Sequence, residues 1–217
     1  MKQVLAFGDS NTWGMIPGSA GERYPEEIRW TGLLRRKLES RNIRRAEDGV
    51  CGRTTVFEDP ERPGRRGVDG IARYSGMEDL HAVILMLGTN DCKAVFRAAP
   101  EEIGRGLEQC LESFEKLVPP ERILVCSPLR LGENVWKPER DPEFEPRSVE
   151  VCRALEGIYR AIAARHGTRF LAASDYATVS HIDEEHLNAD GHEHLAAAIL
   201  NKLTQDRGED RGTYLLS

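Results

Sequence analysis

No stretch of this sequence approaches the roughly 18 consecutive apolar residues that a membrane-crossing helix requires. The apolar run nearest the N-terminus, Val4-Leu5-Ala6-Phe7, stops at once in Gly8-Asp9-Ser10, which is too short and too acidic an ending for a secretory leader. Positive charge is not in excess either. The formal net charge is -6, and acidic residues interleave with groups such as Arg35-Arg36-Lys37 and Arg44-Arg45, so these read as solvated faces and not as a nucleic-acid surface. The five cysteines (Cys51, Cys92, Cys110, Cys126, Cys152) are odd in number and widely spaced. With no Cys-x-x-Cys among them, neither a zinc knuckle nor a disulfide framework is indicated. Most read as small buried hydrophobes, while Cys51 and Cys92 flank the site proposed below and are candidate reactive thiols. Internal repeats and linkers are lacking as well. What remains reads as a cytoplasmic chain, its 217 residues expected to form one domain, 1–217, long enough to bury a sizeable core.

What is present alternates short apolar runs with amphipathic stretches. Residues 3–7 read as a strand, a weaker strand is expected before Gly49, and the continuous run Ala82-Val83-Ile84-Leu85-Met86-Leu87 suits a strand covered on both faces. Ile123–Cys126 and a short segment near Arg169–Leu171 complete the strands. Helices are expected at 26–41, 101–117, 147–166 and 189–204 from their apolar spacing, with Pro100 at one start and Gly167 past one end. Alternating β and α elements imply a parallel sheet with helices on both faces. Three stretches resist a periodic reading, 14–25, 58–70 and 128–146. All follow a strand or its motif turn, on the side expected to carry function. The tail 205–217 is polar and then ends in Tyr214-Leu215-Leu216, and reads as disordered or docked on a neighbour.

A serine on the turn leaving a buried strand lies where open α/β sheets bind ligands. Cleaving an ester with it needs a base for its proton, a group that orients the base, and donors for the oxyanion. Ser10 is the candidate nucleophile. His186 is the candidate base, because an imidazole can both take and give a proton near neutrality. Asp183, three residues earlier, can reach the far edge of the ring in a tight turn. The Ser10 N–H, the Gly52 N–H and the Asn90 side-chain amide are candidate oxyanion donors. Glycine at 52 lets the backbone approach closely.

In order along the chain, Gly8-Asp9-Ser10, Gly52, Gly88-Thr89-Asn90-Asp91 and Asp183-x-x-His186 resemble the SGNH hydrolases, also called GDSL esterases, over residues 4–192. The resemblance implies a flavodoxin-like three-layer α/β/α sandwich with a five-stranded parallel sheet. It also implies a serine esterase working through an acyl-serine intermediate on a small-molecule ester, with no metal or organic cofactor. Ser10, Asp183 and His186 would be its triad, and Ser10, Gly52 and Asn90 its oxyanion hole. The Gly-x-Ser-x-Gly elbow of the α/β-hydrolases is missing. Asn11 replaces the usual leucine after the nucleophile. Gly8–Gly14, Gly52–Val56 and Met86–Asp91 are most similar to the arylesterase and acyltransferase branch, which implies short acyl esters, acyl transfer to alcohols in some members, and a homo-oligomer. A sugar acetyl-ester deacetylase would use the same residues. The rival from another class is a non-catalytic ligand- or partner-binding protein on this fold.

Other residues have ordinary readings beside the functional one. Asp9 is expected to hydrogen-bond the turns around the site, and Asp91 to cap the segment after it. Trp13 and Asn11, just past the nucleophile, and His181, near the base, are candidate substrate contacts. His181, His186, His192 and His194 crowd one stretch, but the strict His-Glu-x-x-His spacing is missing and 192 and 194 fall on different sides of a helix, so no metal site is expected. Trp30 and Trp136 read as core or interface residues.

Overall fold

The computed structural model describes residues 2–204. Its strands are β1 (Gln3–Gly8), β2 (Arg44–Gly49), β3 (Leu80–Met86), β4 (Ile123–Cys126) and β5 (Arg169–Leu171). They form one sheet in the order β2-β1-β3-β4-β5, every pair parallel. The helices are α1 (Ser10–Trp13), α2 (Trp30–Glu39), α3 (Gly67–Ile71), α4 (Pro100–Glu115), α5 (Pro146–His166) and α6 (Ala189–Thr204). The chain moves outward from β1 to β2 and then crosses back to β3 on the other side of β1. That reversal opens a crevice at the carboxyl ends of β1 and β3.

Every residue of β3 is buried, because helices cover the sheet on both faces. Alternation along the strands sorts the core. Phe7, Val83 and Leu85 face Leu107, Phe114, Leu155 and Tyr159 of α4 and α5. Val4, Ala6 and Ile84 face Trp30, Leu34, Leu195 and Ile199 of α2 and α6. The Phe7 and Phe114 rings meet edge-to-face at 5.3 Å, the geometry that aromatic quadrupoles favour.

Two elements differ instructively from their sequence patterns. The helix expected from 26 starts only at Trp30. Residues after Pro25 close a separate turn, with Arg29 N–H donating to the Pro25 carbonyl at 3.3 Å. Arg29 is then extended, and Trp30 drops into the core, its N–H donating to His192 Nδ1 at 3.3 Å. The weak strand before Gly49 is the edge strand β2, Arg-Arg-Ala-Glu-Asp-Gly. It lacks an apolar face. Its charges are paired instead, Arg45 with Glu26 at 2.9 Å and Glu47 with Arg29 at 2.6 Å, which also makes this edge a poor template for further strands. Residues 58–70, expected to be irregular throughout, include the start of α3, whose five residues are too few to register as a period. The expectations for the tail 205–217 fall outside the described residues.

Candidate active site

The turn that carries Ser10 is built by steric necessity. A Cβ on Gly8 would lie 2.1 Å from Thr12 Oγ1 and 2.7 Å from the Met86 carbonyl, so only glycine lets α1 fold back over the end of β1. Asp9 is the N-cap of α1, its carboxylate accepting the Asn11 N–H at 3.0 Å, and it also receives a hydrogen bond from Thr89. Ser10 is therefore the first residue of a one-turn helix, which ends at Gly14 in the left-handed conformation, φ 90°.

Opposite stands the turn Ser180–His186, closed by Ser180 N–H donating to the His186 carbonyl at 2.7 Å. His186 Nε2 is 2.9 Å from Ser10 Oγ, and Nδ1 is 2.9 Å from Asp183 Oδ2. Asp183 Oδ1 accepts the N–H groups of Glu185 at 3.1 Å and His186 at 3.0 Å. Its Oδ2 also accepts the Gly18 N–H at 3.0 Å, so the 14–25 loop supplies a donor to this carboxylate. Burial alone would raise the Asp183 pKa, but the His186 hydrogen bond and charge and these backbone donors hold it below the usual carboxylate range. In the neutral ring Nδ1, which faces a carboxylate, carries the proton, and Nε2 is left to accept from Ser10.

Asn11 secures this segment. Its Nδ2 donates to the Glu185 carbonyl at 3.2 Å and its Oδ1 accepts the Leu187 N–H at 3.0 Å. The residues on both sides of His186 are thus tied to the residue after Ser10. Trp30 Nε1 donates to the Asn11 carbonyl at 3.0 Å, which anchors the clamp in the core.

Gly52 has φ 79°, a conformation that favours glycine. Among the described residues, neither its N–H nor that of Ser10 donates to a backbone carbonyl. Asn90 Nδ2 donates to the Arg53 carbonyl at 3.1 Å, which fixes the amide orientation and leaves a second N–H for a ligand. Arg53 is buried and donates to the Gly8 carbonyl at 2.9 Å and to Asp48 at 2.8 Å, its guanidinium 4.2 Å from the Phe7 ring centroid. Asp91 does not cap the following segment. Its buried carboxylate accepts the Thr55 N–H at 2.9 Å and the Thr55 hydroxyl, and so joins the Gly52 loop to the Asn90 turn. Burial pushes its carboxyl up to about 6 against those hydrogen bonds.

Ser10, Gly52, Asn90 and His186 meet at a cavity of about 270 Å³. Much of its lining is charged: Arg62, Asp141 and Glu143 from the long loops, and Lys93 from just after the Asn90 turn. Glu143 binds Lys93 at 2.5 Å and Arg62 at 2.9 Å. Burial would raise the Glu143 carboxyl, but these two cations override it and hold it at about 2. A larger groove of about 540 Å³ runs between α2 and α6, past Leu34, Ala196 and Leu200, and contains none of these groups.

The three candidate substrate contacts lie elsewhere. Trp13 does not line the cavity. α1 crosses Gly49 so closely that a Cβ there would lie 2.2 Å from Trp13 N, which sends the indole to the β2 edge, 5.1 Å beneath the Arg23 guanidinium. Asn11 is buried and its amide is spent on the clamp. His181 is exposed and outside the cavity wall. Among the thiols, Cys51 does reach the cavity, but burial and the Asp9 charge push it up to about 11, so it is a thiol at neutral pH and a poor nucleophile. Cys92 is buried, and burial raises its pKa well above that of an ordinary thiol. His192 accepts the Trp30 N–H, and burial takes it down to about 4, so it is a neutral core histidine. Sequence reasoning missed Arg53, Arg62, Lys93, Asp141, Glu143 and Glu185. No local pattern marks them, since long loops and turns bring them to the site.

A parallel α/β sheet with serine, imidazole and carboxylate aligned beside amide donors is the architecture of a carboxylic ester hydrolase, and that is the class of this chain. It belongs to the GDSL-like lipase/acylhydrolase family, whose profile matches residues 6–198. A carbohydrate acetylesterase from Sinorhizobium meliloti is 34% identical with TM-score 0.84, over 93% of this chain and 98% of that one. The native aryl esterase of M. smegmatis is 29% identical with TM-score 0.84, again over 93% of this chain and 98% of that one. No curated protein sequence matches the chain. No helix among the described residues is long and apolar enough to cross a membrane.

Proposed function

We propose that the chain is one catalytic domain that cleaves short-chain carboxylic esters through an acyl-serine at Ser10. The observation that carries this reading is the continuous relay from Asp183 to His186 to Ser10, each step 2.9 Å, opening on a cavity of only about 270 Å³. Ser10 Oγ attacks the ester carbonyl as His186 Nε2 takes its proton. The oxyanion is met by the N–H groups of Ser10 and Gly52 and by the Asn90 amide. His186 returns the proton to the departing alkoxide. Water, deprotonated by the same imidazole, then attacks the acyl-serine and regenerates Ser10. An alcohol in place of that water gives acyl transfer.

A second reading is supported by the charged wall of Arg62, Lys93, Asp141 and Glu143. Such a wall offers fixed donors and acceptors to a hydroxylated alcohol such as a sugar, and a carbohydrate acetylesterase is among the solved relatives. Rates on p-nitrophenyl esters from acetate to octanoate, beside acetylated xylose, test both. Highest rates on acetate or butyrate support the short-chain reading, a large preference for the sugar supports the second, and octanoate as the best substrate contradicts both. Two further proposals stand beside these. The unpaired cysteines suit a reducing, cytoplasmic compartment. Self-association, expected from the family resemblance, is read directly by sedimentation velocity.

A further inference from the structure

Of the ionisable groups in the cavity that have no part in the relay, one stands against the base itself. Glu185 precedes His186 and is only 5% exposed, and it lines the same cavity as Ser10. Its Oε2 lies 3.7 Å from His186 Nδ1. Among the described residues no donor hydrogen-bonds its carboxylate, whereas its backbone is fixed at both ends, N–H to Asp183 and carbonyl to Asn11. Its carboxylate reaches the cavity without a protein donor, so a positive charge close by favours its ionised form. Two are near. Lys93 is already engaged by Glu143 at 2.5 Å, which leaves the imidazolium as the main partner.

We propose that Glu185 is a positioning residue for the catalytic base: a second carboxylate on the His186 ring, which joins Asp183 in stabilising the imidazolium and sets the pH at which His186 is free to accept the Ser10 proton. This rests on the serine-hydrolase reading above. The proton still passes from Ser10 Oγ to His186 Nε2 and on to the leaving alkoxide, and Glu185 contributes only charge. Asp183 faces Nδ1 from the same turn, Asp9 acts on the ring from the nucleophile turn, and Lys93 and Asp141 face Glu185 from the segments after β3 and β4. Burial pushes the Glu185 carboxyl up, the His186 and Lys93 charges draw it back, and it settles at about 7. Burial pulls the imidazolium down, but Glu185 first and Asp183 next outweigh it and hold His186 at about 9. Groups this close titrate as a pair.

An ionised Glu185 therefore acts in two directions. It lowers the cost of forming the imidazolium during attack, and it keeps the resting base protonated to higher pH. Removing it should move the acid limb of the kcat/KM profile down by about one to three pH units, the span expected of an opposite charge at this distance. Glu185→Gln should thus gain on the wild type at the acid end of the profile and fall below it on the alkaline plateau. An unmoved limb overturns the proposal, whatever happens to KM. Should Glu185→Gln not fold, the wild-type chain answers by carbon-13 NMR of the Glu185 carboxyl. Two titration steps, one coinciding with that of His186, are expected. A single step in the ordinary carboxylate range overturns the proposal. Ser10→Ala, measured alongside, separates the levels: if it stays active, the hydrolase reading and this inference both fall, and if it is dead while the limb stays put, only this inference does.

Discussion

Replacing Asn11 by alanine should cost both stability and rate, although Asn11 lies outside the cavity wall. The substitution removes two buried hydrogen bonds, to the Glu185 carbonyl at 3.2 Å and from the Leu187 N–H at 3.0 Å, and no other side chain replaces them. Each orphaned backbone group costs about 1–3 kcal/mol, so a loss of roughly 2–4 kcal/mol is expected once the loop relaxes to reach water. For a chain of this size that is a fall in Tm of roughly 5–15 °C. The rate should suffer separately, because His186 is suspended between the two lost anchors. A displacement of about 1 Å at a reacting group is enough for a loss of about a hundredfold. Urea unfolding followed by circular dichroism, with kcat on p-nitrophenyl acetate well below the melting range, measures both. Asn11→Asp is a harsher companion, since it keeps the acceptor for Leu187 but loses the donor to Glu185 and buries a carboxylate against that carbonyl. If Asn11→Ala unfolds within about 0.5 kcal/mol of the wild type, as a neutral surface change would, and keeps its kcat, the clamp argument is wrong.

Other consequences are as specific. Asn90→Ala should lower kcat by about a hundred- to a thousandfold with little change in KM, because an oxyanion donor acts mainly in the transition state; a kcat near that of the wild type, in steady-state assays of folded variant, would remove Asn90 from the oxyanion hole. The raised His186 pKa also has a stability consequence. Its folded value of about 9 exceeds the ordinary value of about 6.5, so its contribution is complete below about pH 6.5 and is lost as pH rises through 9. The ring is buried, so urea titrations across that window should show unfolding free energy declining by on the order of a few kcal/mol, and a flat profile contradicts it.

The strands, the parallel sheet and the site were legible in this sequence to different depths. β3 was plain because a strand covered on both faces must be apolar throughout. α6 was plain because its ends carry turn residues and its apolar positions repeat. β2 was faint because its charges are neutralised by partners such as Glu26 and Arg29, which lie outside any local window. The start of α2 was misplaced because Trp30 obeys His192, over a hundred residues away. Among site residues, Ser10, Asp183 and His186 were readable from spacing and the family resemblance, and the geometry brings them within hydrogen-bond reach. The residues around the cavity were not readable. Proximity in sequence to Ser10 and His186 suggested Trp13, Asn11 and His181, but the one-turn helix ending at Gly14 sends Trp13 to the sheet edge, and the core claims Asn11. The residues that do line the cavity, Arg62, Lys93, Asp141 and Glu143, come mostly from loops without periodicity, where only tertiary structure decides what meets.

The central claim is that Ser10 is the nucleophile, and covalent trapping tests it most directly. A fluorophosphonate reacts with a serine only when a base has activated it and an oxyanion hole receives the phosphoryl oxygen. Intact-mass spectrometry of the treated wild type should show one adduct per chain, with peptide mapping to Ser10, loss of esterase activity in step with labelling, and no adduct on Ser10→Ala. An adduct on another residue, or equal labelling of Ser10→Ala, would contradict the account.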